Sequence, residues 1–113
     1  MTKPSPDSGK RATPADHAKG HRARMRGKLL EKGSAALTEL EILEMLLYAG
    51  APRGDTKPLA KRLIKTFKSL SAVLRASPDE LRPIKDMGDA AIAAVKFAEA
   101  AGLQISHSRV KGK

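Results

Sequence analysis

Apolar residues recur along this chain at helical spacing, and side-chain oxygens stand where the helices should begin. Thr38, with Glu41 three positions on, forms a capping box at the head of Leu40, Ile42, Leu43, Leu46 and Leu47, predicting a buried helix from about Glu39 to Ala49. Gly50, Pro52 and Gly54 then break the pattern. Asp55 or Thr56 can cap the next helix, whose first turn accepts Pro58. In it Leu59, Leu63, Ile64 and Phe67 share one face, while Lys57, Lys61, Arg62, Lys65 and Lys68 occupy the others, as on an amphipathic helix with a wet basic side. Ser69 can cap a short helix carrying Leu70, Val73 and Leu74; Ser77, Pro78 and Glu80 make a second capping box, opening a helix of about one turn before Pro83. Residues 84–89 read as a tight turn, and 90–103 as a helix with Ile92, Val95 and Leu103 roughly on one side.

The flanks are weaker. From Asp16 to Gly33 a helix is compatible: Asp16 can cap it, Met25, Leu29 and Leu30 make a short apolar stripe, and Gly33 offers a left-handed stop. Residues 1–15 carry three of the seven prolines and no apolar period, so they are expected to be a disordered basic tail. Residues 104–113 show no helical signal and are expected to fray as a second one. No run of β-branched or aromatic residues alternates at period 2. The expected fold is all-α, a small bundle of about five helices spanning residues 16–103, with tandem helix-hairpin-helix character.

Composition narrows the chemistry. With 113 residues the chain holds one domain at most, and with no cysteine it has neither a disulfide framework nor a thiolate metal site. No apolar run is long enough to span a bilayer, and the first 30 residues contain no apolar signal core, so the expected location is the cytoplasm without a membrane partner. The formal charge of +10 is unevenly placed: residues 1–33 have nine basic and three acidic side chains, 34–100 ten and nine, and 101–113 three and none. On this count the middle is nearly neutral and the excess lies at the ends. Basic arms attract polyanions, chiefly nucleic acid, though anionic membranes and acidic proteins attract them too, and such an arm also serves simply as a solvated tail.

Catalytic groups do not converge. His17, His21 and His107 fall in the flanks, where a solvated side chain is expected, and no His-x-His or HExxH spacing could grip zinc. The serines are mostly caps or tail residues without a Gly-x-Ser-x-Gly elbow, and no glycine-rich nucleotide loop is present. The chain is expected to be non-enzymatic, with no catalytic residue, metal or cofactor.

One constellation is more specific. A short helix, then Ile84-x-x-Met87-Gly88, then a helix with Ala90, Ala91, Ala93 and Ala94, is the layout of a helix-hairpin-helix. Glycine permits the tight turn, Ile84 and Met87 anchor it to the core, and the following helix offers free N–H groups to a backbone phosphate without reading a base. The same order of elements also lets a small α domain merely reverse direction.

The stretches RARMRGKLLEKGSAALTELEILEMLLYAG, from Arg22, and LAKRLIKTFKSLSAVLRASPDELRPIKDMG, from Leu59, closely resemble the amino-terminal helix-hairpin-helix domain of the RadC-like (UPF0758) proteins. The resemblance covers roughly four-fifths of the chain and implies an all-helical unit akin to the paired hairpin modules of DNA repair proteins. Two departures stand out: where the family's hairpin reads Gly-Ile-Gly-x-x-x-Ala, this chain has Asp86 for the first glycine and Ile92 for the alanine. Asp tolerates a left-handed backbone, but its carboxylate, with that of Asp89, would oppose a phosphate; Ile92 asks the hairpin helices to repack. The His-x-His and Asp ligands of the JAB/MPN metallopeptidase-like domain into which such proteins continue have no counterpart here.

The resulting expectation is a non-catalytic module contacting the backbone of duplex or branched DNA. Its candidate contacts are Arg22, Arg24, Arg26 and Lys28 from the arm, Lys85 and Gly88 at the hairpin, and, more weakly, Arg53 and Lys57 after the first turn. With only Tyr48, Phe67 and Phe97 as aromatics, and Phe67 expected in the core, a single-strand stacking platform is disfavoured. The alternative is a protein-interaction domain with degenerate hairpins, docking a JAB/MPN-type module in cis or in trans.

Overall fold

Helix α2 (Glu39–Gly50) is the element on which the others close. The computed structural model describes residues 14–50 and 56–111, the side chains of 14–18, 49 and 109–111 apart. Among these residues there is no strand. The remaining helices are α1 (Pro14–Lys32), α3 (Lys57–Phe67), α4 (Leu70–Arg75), α5 (Pro78–Leu81) and α6 (Asp89–Lys111), with a 3-10 turn at Ser34–Ala36. The bundle is all-α, with six helices among the described residues where the pattern predicts about five. The short α4 and α5 stay separate because Ala76 and Ser77 turn extended ahead of Pro78, which disfavours helical backbone in the residue before it.

The caps read at Thr38, Ser69 and Ser77 are made, whereas Asp16, expected to cap α1, falls inside a helix that already begins at Pro14. The Glu41 N–H donates to Thr38 Oγ1 at 3.1 Å and the Thr38 N–H to Glu41 Oε1 at 2.9 Å. That Thr38 N–H, helped by the Lys28 ammonium, holds the Glu41 carboxyl below its ordinary pKa. Ser77 and Glu80 close the same reciprocal pair at 3.1 and 2.9 Å, and Ser69 Oγ accepts from the Ala72 N–H at 3.1 Å. Thr56 occupies the N-cap of α3 but does not cap with its side chain; its hydroxyl donates to the Glu44 carbonyl of α2 at 3.0 Å. The other candidate cap, Asp55, lies outside the described residues.

One apolar cluster joins Leu43 and Leu47 of α2, Leu59, Ala60 and Leu63 of α3, Val73, Leu81, Met87 of the turn before α6, and Ala91, Ile92 and Val95 of α6. Truncating one of its fully buried leucines to alanine costs about 2–5 kcal/mol in such a setting. The broadest helix contact is between α2 and α6. It is close enough that a Cβ built on Gly50 would lie 2.5 Å from the Ala90 carbonyl oxygen and 2.7 Å from the Ala91 Cα. Gly50, read from sequence only as a breaker, is therefore the residue that lets two backbones touch, and Ala90 and Ala91 are the small residues facing it.

Three expectations change. Of the apolar stripe on α1 only Met25 is buried; Leu29 is half-exposed and Leu30 is 81% exposed, because α1 touches the bundle along a narrow seam. The helix at the C-terminus does not end at Leu103 but continues to Lys111, each added residue extending an existing hydrogen-bond ladder with no proline to stop it. Side chains 103–108 on this extension are exposed, including Leu103, so the extension stands clear of the core. Finally, the positive φ of the turn before α6 falls on Asp86 (73°), not on Gly88, whose added Cβ would meet nothing within 4 Å. Gly33 does take a positive φ, 86°, at the end of α1. Residues 1–13, most of the expected N-terminal tail, lie outside the described residues.

Candidate nucleic-acid interface

The turn joining α5 to α6 is folded onto the core by Met87, which is buried, and Ile84, which packs partly buried against the cluster. The Met87 N–H donates to the Ile84 carbonyl at 3.0 Å, and the Ile92 N–H to that of Gly88 at 3.0 Å. Lys85 and Gly88 are exposed on its outer side. Both acidic residues here are held by arginines. Arg62 of α3 reaches across to place Nη2 at 2.9 Å from Asp86 Oδ2, and the same nitrogen donates to the Lys85 carbonyl at 3.0 Å. Arg82 Nη1 lies 2.6 Å from Asp89 Oδ1, and that carboxylate raises the already high pKa of the guanidinium. The left-handed residue of the turn is thus stapled to α3.

The basic arm is split by its own helix. His21, Arg22, Met25 and Lys28 recur at the spacing of one face and point at α2. His21 Nε2 is 3.0 Å from Glu44 Oε2, Arg22 stacks its guanidinium 4.2 Å from the centre of the Tyr48 ring, and Lys28 Nζ is 3.2 Å from Glu41 Oε2. Arg24 and Arg26 lie off that face, one on either flank of the helix, and are exposed. Of the candidate contacts, then, Arg22 and Lys28 serve the arm's attachment, whereas Arg24, Arg26, Lys57 and Lys85 face outward. Arg53 lies outside the described residues.

His21 is not a solvated flank residue as its position suggests. It partners Glu44, which is only 1% exposed. The signal was present in sequence: a glutamate beside Leu43 and Leu47 on a buried helix needs a cation or donor from elsewhere. His107 is exposed on α6, and the side chain of His17 is outside the described set. Arg62 and Arg82 were also missed; the separation of 24 positions from Arg62 to Asp86 leaves no local pattern to find. Phe67 is half-buried against the core, Tyr48 is covered, and Phe97 is 75% exposed, so the described residues form no row of stacking rings. Among them no group of three or more His, Cys, Asp or Glu could hold a metal ion, and no helix is long and apolar enough to cross a membrane.

Fold and surface together define a small all-helical module whose exposed chemistry is cationic. The family model described as UPF0758 N-terminal matches residues 19–93. A UPF0758 protein of Ruegeria pomeroyi is 37% identical over 94 residues, covering 83% of this chain and 42% of that protein. A UPF0758 protein of Rhodobacter capsulatus is 38% identical over 86 residues, covering 76% and 40%, and one of Fusobacterium nucleatum 46% identical over 78 residues, covering 69% and 34%. The chain belongs to the UPF0758 family, as its N-terminal helical domain. It spans less than half the length of these relatives. No solved structure matches it.

Proposed function

We propose that this domain is a non-catalytic module that contacts the phosphodiester backbone of duplex or branched DNA without reading sequence, as part of a RadC-like DNA repair protein. The observation that carries this reading is the neutralisation of the α5–α6 turn. Asp86 and Asp89, the two carboxylates that would repel a phosphate, are each engaged by an arginine, while Lys85 remains exposed beside them. Arg24 and Arg26 add exposed cations on α1. Backbone binding releases counterions, so its signature is salt dependence rather than base preference.

The test is fluorescence anisotropy of labelled duplex and three-way-junction DNA with the full chain and with Asp86→Gly, across salt. The substitution removes one negative charge, releases Arg62 and suits the positive φ at this position. Tighter binding is expected, with the log–log salt slope steeper by about 0.9 for the added phosphate contact. Equal affinity and slope for the two proteins would refute the reading.

A second reading, docking of another protein or of a JAB/MPN-type module, draws on an apolar groove of about 220 Å³ lined by Met25, Leu29, Leu37, Ile42 and Met45. Binding there would be nearly indifferent to salt.

A further inference from the structure

Counted by residue type, the middle of the chain is almost neutral, but its charges are unevenly placed. Seven of its nine acidic side chains are occupied within the fold, while Asp79 is exposed and Asp55 lies outside the described residues. Glu39 accepts the Leu70 N–H at 2.8 Å, Glu41 and Glu80 close capping boxes, Glu44 holds His21, Asp86 and Asp89 hold arginines, and Glu99 lies 2.7 Å from Lys96 Nζ. The balancing cations, by contrast, are concentrated on α3. Between Lys57 and Lys68 stand five basic residues and no acidic one.

Lys57, Lys61 and Lys65 fall at i, i+4 and i+8, a single stripe opposite the buried Leu59, Ala60 and Leu63, and Lys68, the C-cap in left-handed backbone (φ 85°), stands just past its end. All four are exposed, and Lys61, Lys65 and Lys68 have no ion-pair partner among the described residues. Like charges four residues apart destabilise a helix by about 0.2–0.5 kcal/mol per pair, so the fold gains nothing from setting Lys65 one turn after Lys61. Lys61, Lys65 and Lys68, exposed and without an ion-pair partner among the described residues, are available to an external anion. The stripe rises about 6 Å per four residues and about 12 Å from Lys57 to Lys65. It is also held rigid, by the apolar face behind it and by Arg62, which fastens α3 to the turn bearing Lys85.

Resting on the DNA reading above, we propose that the lysine ridge of α3, continued by Lys85, is the main surface that follows the phosphate backbone of a duplex, with the α1 arm as an accessory.

The experiment compares the full chain with two variants of equal net charge: Lys61→Ala/Lys65→Ala/Lys68→Ala on the ridge and Arg24→Ala/Arg26→Ala/Lys32→Ala on α1. All six side chains are exposed, and thermal melts verify that both variants fold. Each is titrated into a labelled 20-base-pair duplex between about 50 and 200 mM salt, the range over which phosphate contacts dominate affinity. The ridge variant should lose about 2.7 from the log–log salt slope, the share of three phosphate contacts, and the α1 variant less than half as much. If the α1 variant loses as much as the ridge variant or more, the ridge assignment is overturned while the DNA reading stands. If the unmodified chain fails to bind the duplex at the lowest salt, or binds only anionic vesicles added in parallel, both are overturned.

Discussion

Replacing Gly50 by alanine would place a methyl carbon against the backbone of the neighbouring helix. Its nearest atoms would be the Ala90 carbonyl oxygen at 2.5 Å, the Ala90 carbonyl carbon at 2.7 Å and the Ala91 Cα at 2.7 Å. None of these can swing aside as a side chain does. To reach an ordinary contact distance, α2 and α6 would have to part locally by roughly 0.7–0.9 Å, and a gap of that size forfeits a quarter to a half of each dispersion contact it opens. The contacts at stake belong to Leu43, Leu47, Ala91, Ile92 and Val95, the seam of the core. Overpacking of this kind costs about 1–3 kcal/mol. The helical preference of alanine over glycine returns at most about 1 kcal/mol, and less at a helix end. A net loss of about 1–2 kcal/mol should lower the melting temperature by about 5–15 °C in a domain of this size. The matched control is Gly27→Ala in α1, where the added methyl meets nothing within 4 Å and only the helical preference acts. Urea and thermal unfolding followed by far-ultraviolet circular dichroism compare the two. If Gly50→Ala were as stable as the parent, or shifted in the same direction as Gly27→Ala, the close crossing of α2 and α6 would not be what requires glycine.

Two further tests address the polar ties. His21→Ala leaves the Glu44 carboxylate, 1% exposed, without its side-chain partner, and should destabilise the domain by about 1–3 kcal/mol, whereas His21→Gln, which retains a donor, should recover part of the loss; a parental melting temperature for His21→Ala would show that the pair does not matter. Glu41 has its carboxyl pKa held below the ordinary value of 4.5, so its contribution is complete above that pH and disappears as the pH falls through the lower folded value. Melts taken from about pH 6 down to about pH 3 should therefore fall more steeply for the parent than for Glu41→Gln, and parallel curves would contradict the capping box as the source of the shift.

The helices most legible in the sequence were those with chemical start signals. Thr38/Glu41, Ser69 and Ser77/Glu80 each fix a helix start through a hydrogen bond spanning three residues, and such local bonds can be read from the sequence alone. What escaped reading was decided by distant residues. Nothing near Asp86 announces that Arg62 will reach it, and nothing near Gly50 distinguishes a breaker from a close crossing until Ala90 is known to face it. The arm shows the same division: its cations are evident as a cluster, but only the docking of α1 on α2 turns Arg22 and Lys28 inward and leaves Arg24 and Arg26 outward. A charge count is silent on placement for a related reason. It does not show that most acidic side chains of the middle are committed to caps and pairs, or that the lysines of α3 are segregated from them. The C-terminal end of α6 was missed because its residues pack on nothing and leave no apolar period to detect.

The attachment of α1 has a dynamic consequence. Among its described side chains only Met25 is buried, and its remaining ties to α2 are the polar contacts of His21, Arg22 and Lys28. Lifting the helix away would expose Met25 and the Tyr48 ring that Arg22 covers, while leaving the cluster that joins α2 to α6 in place. Partial opening of this kind would turn on Gly33, the positive-φ residue at the end of α1, and would cost less than global unfolding. In the open state Arg22 and Lys28 would join Arg24 and Arg26 in solvent, so the number of cations the arm can offer depends on how often that hinge swings.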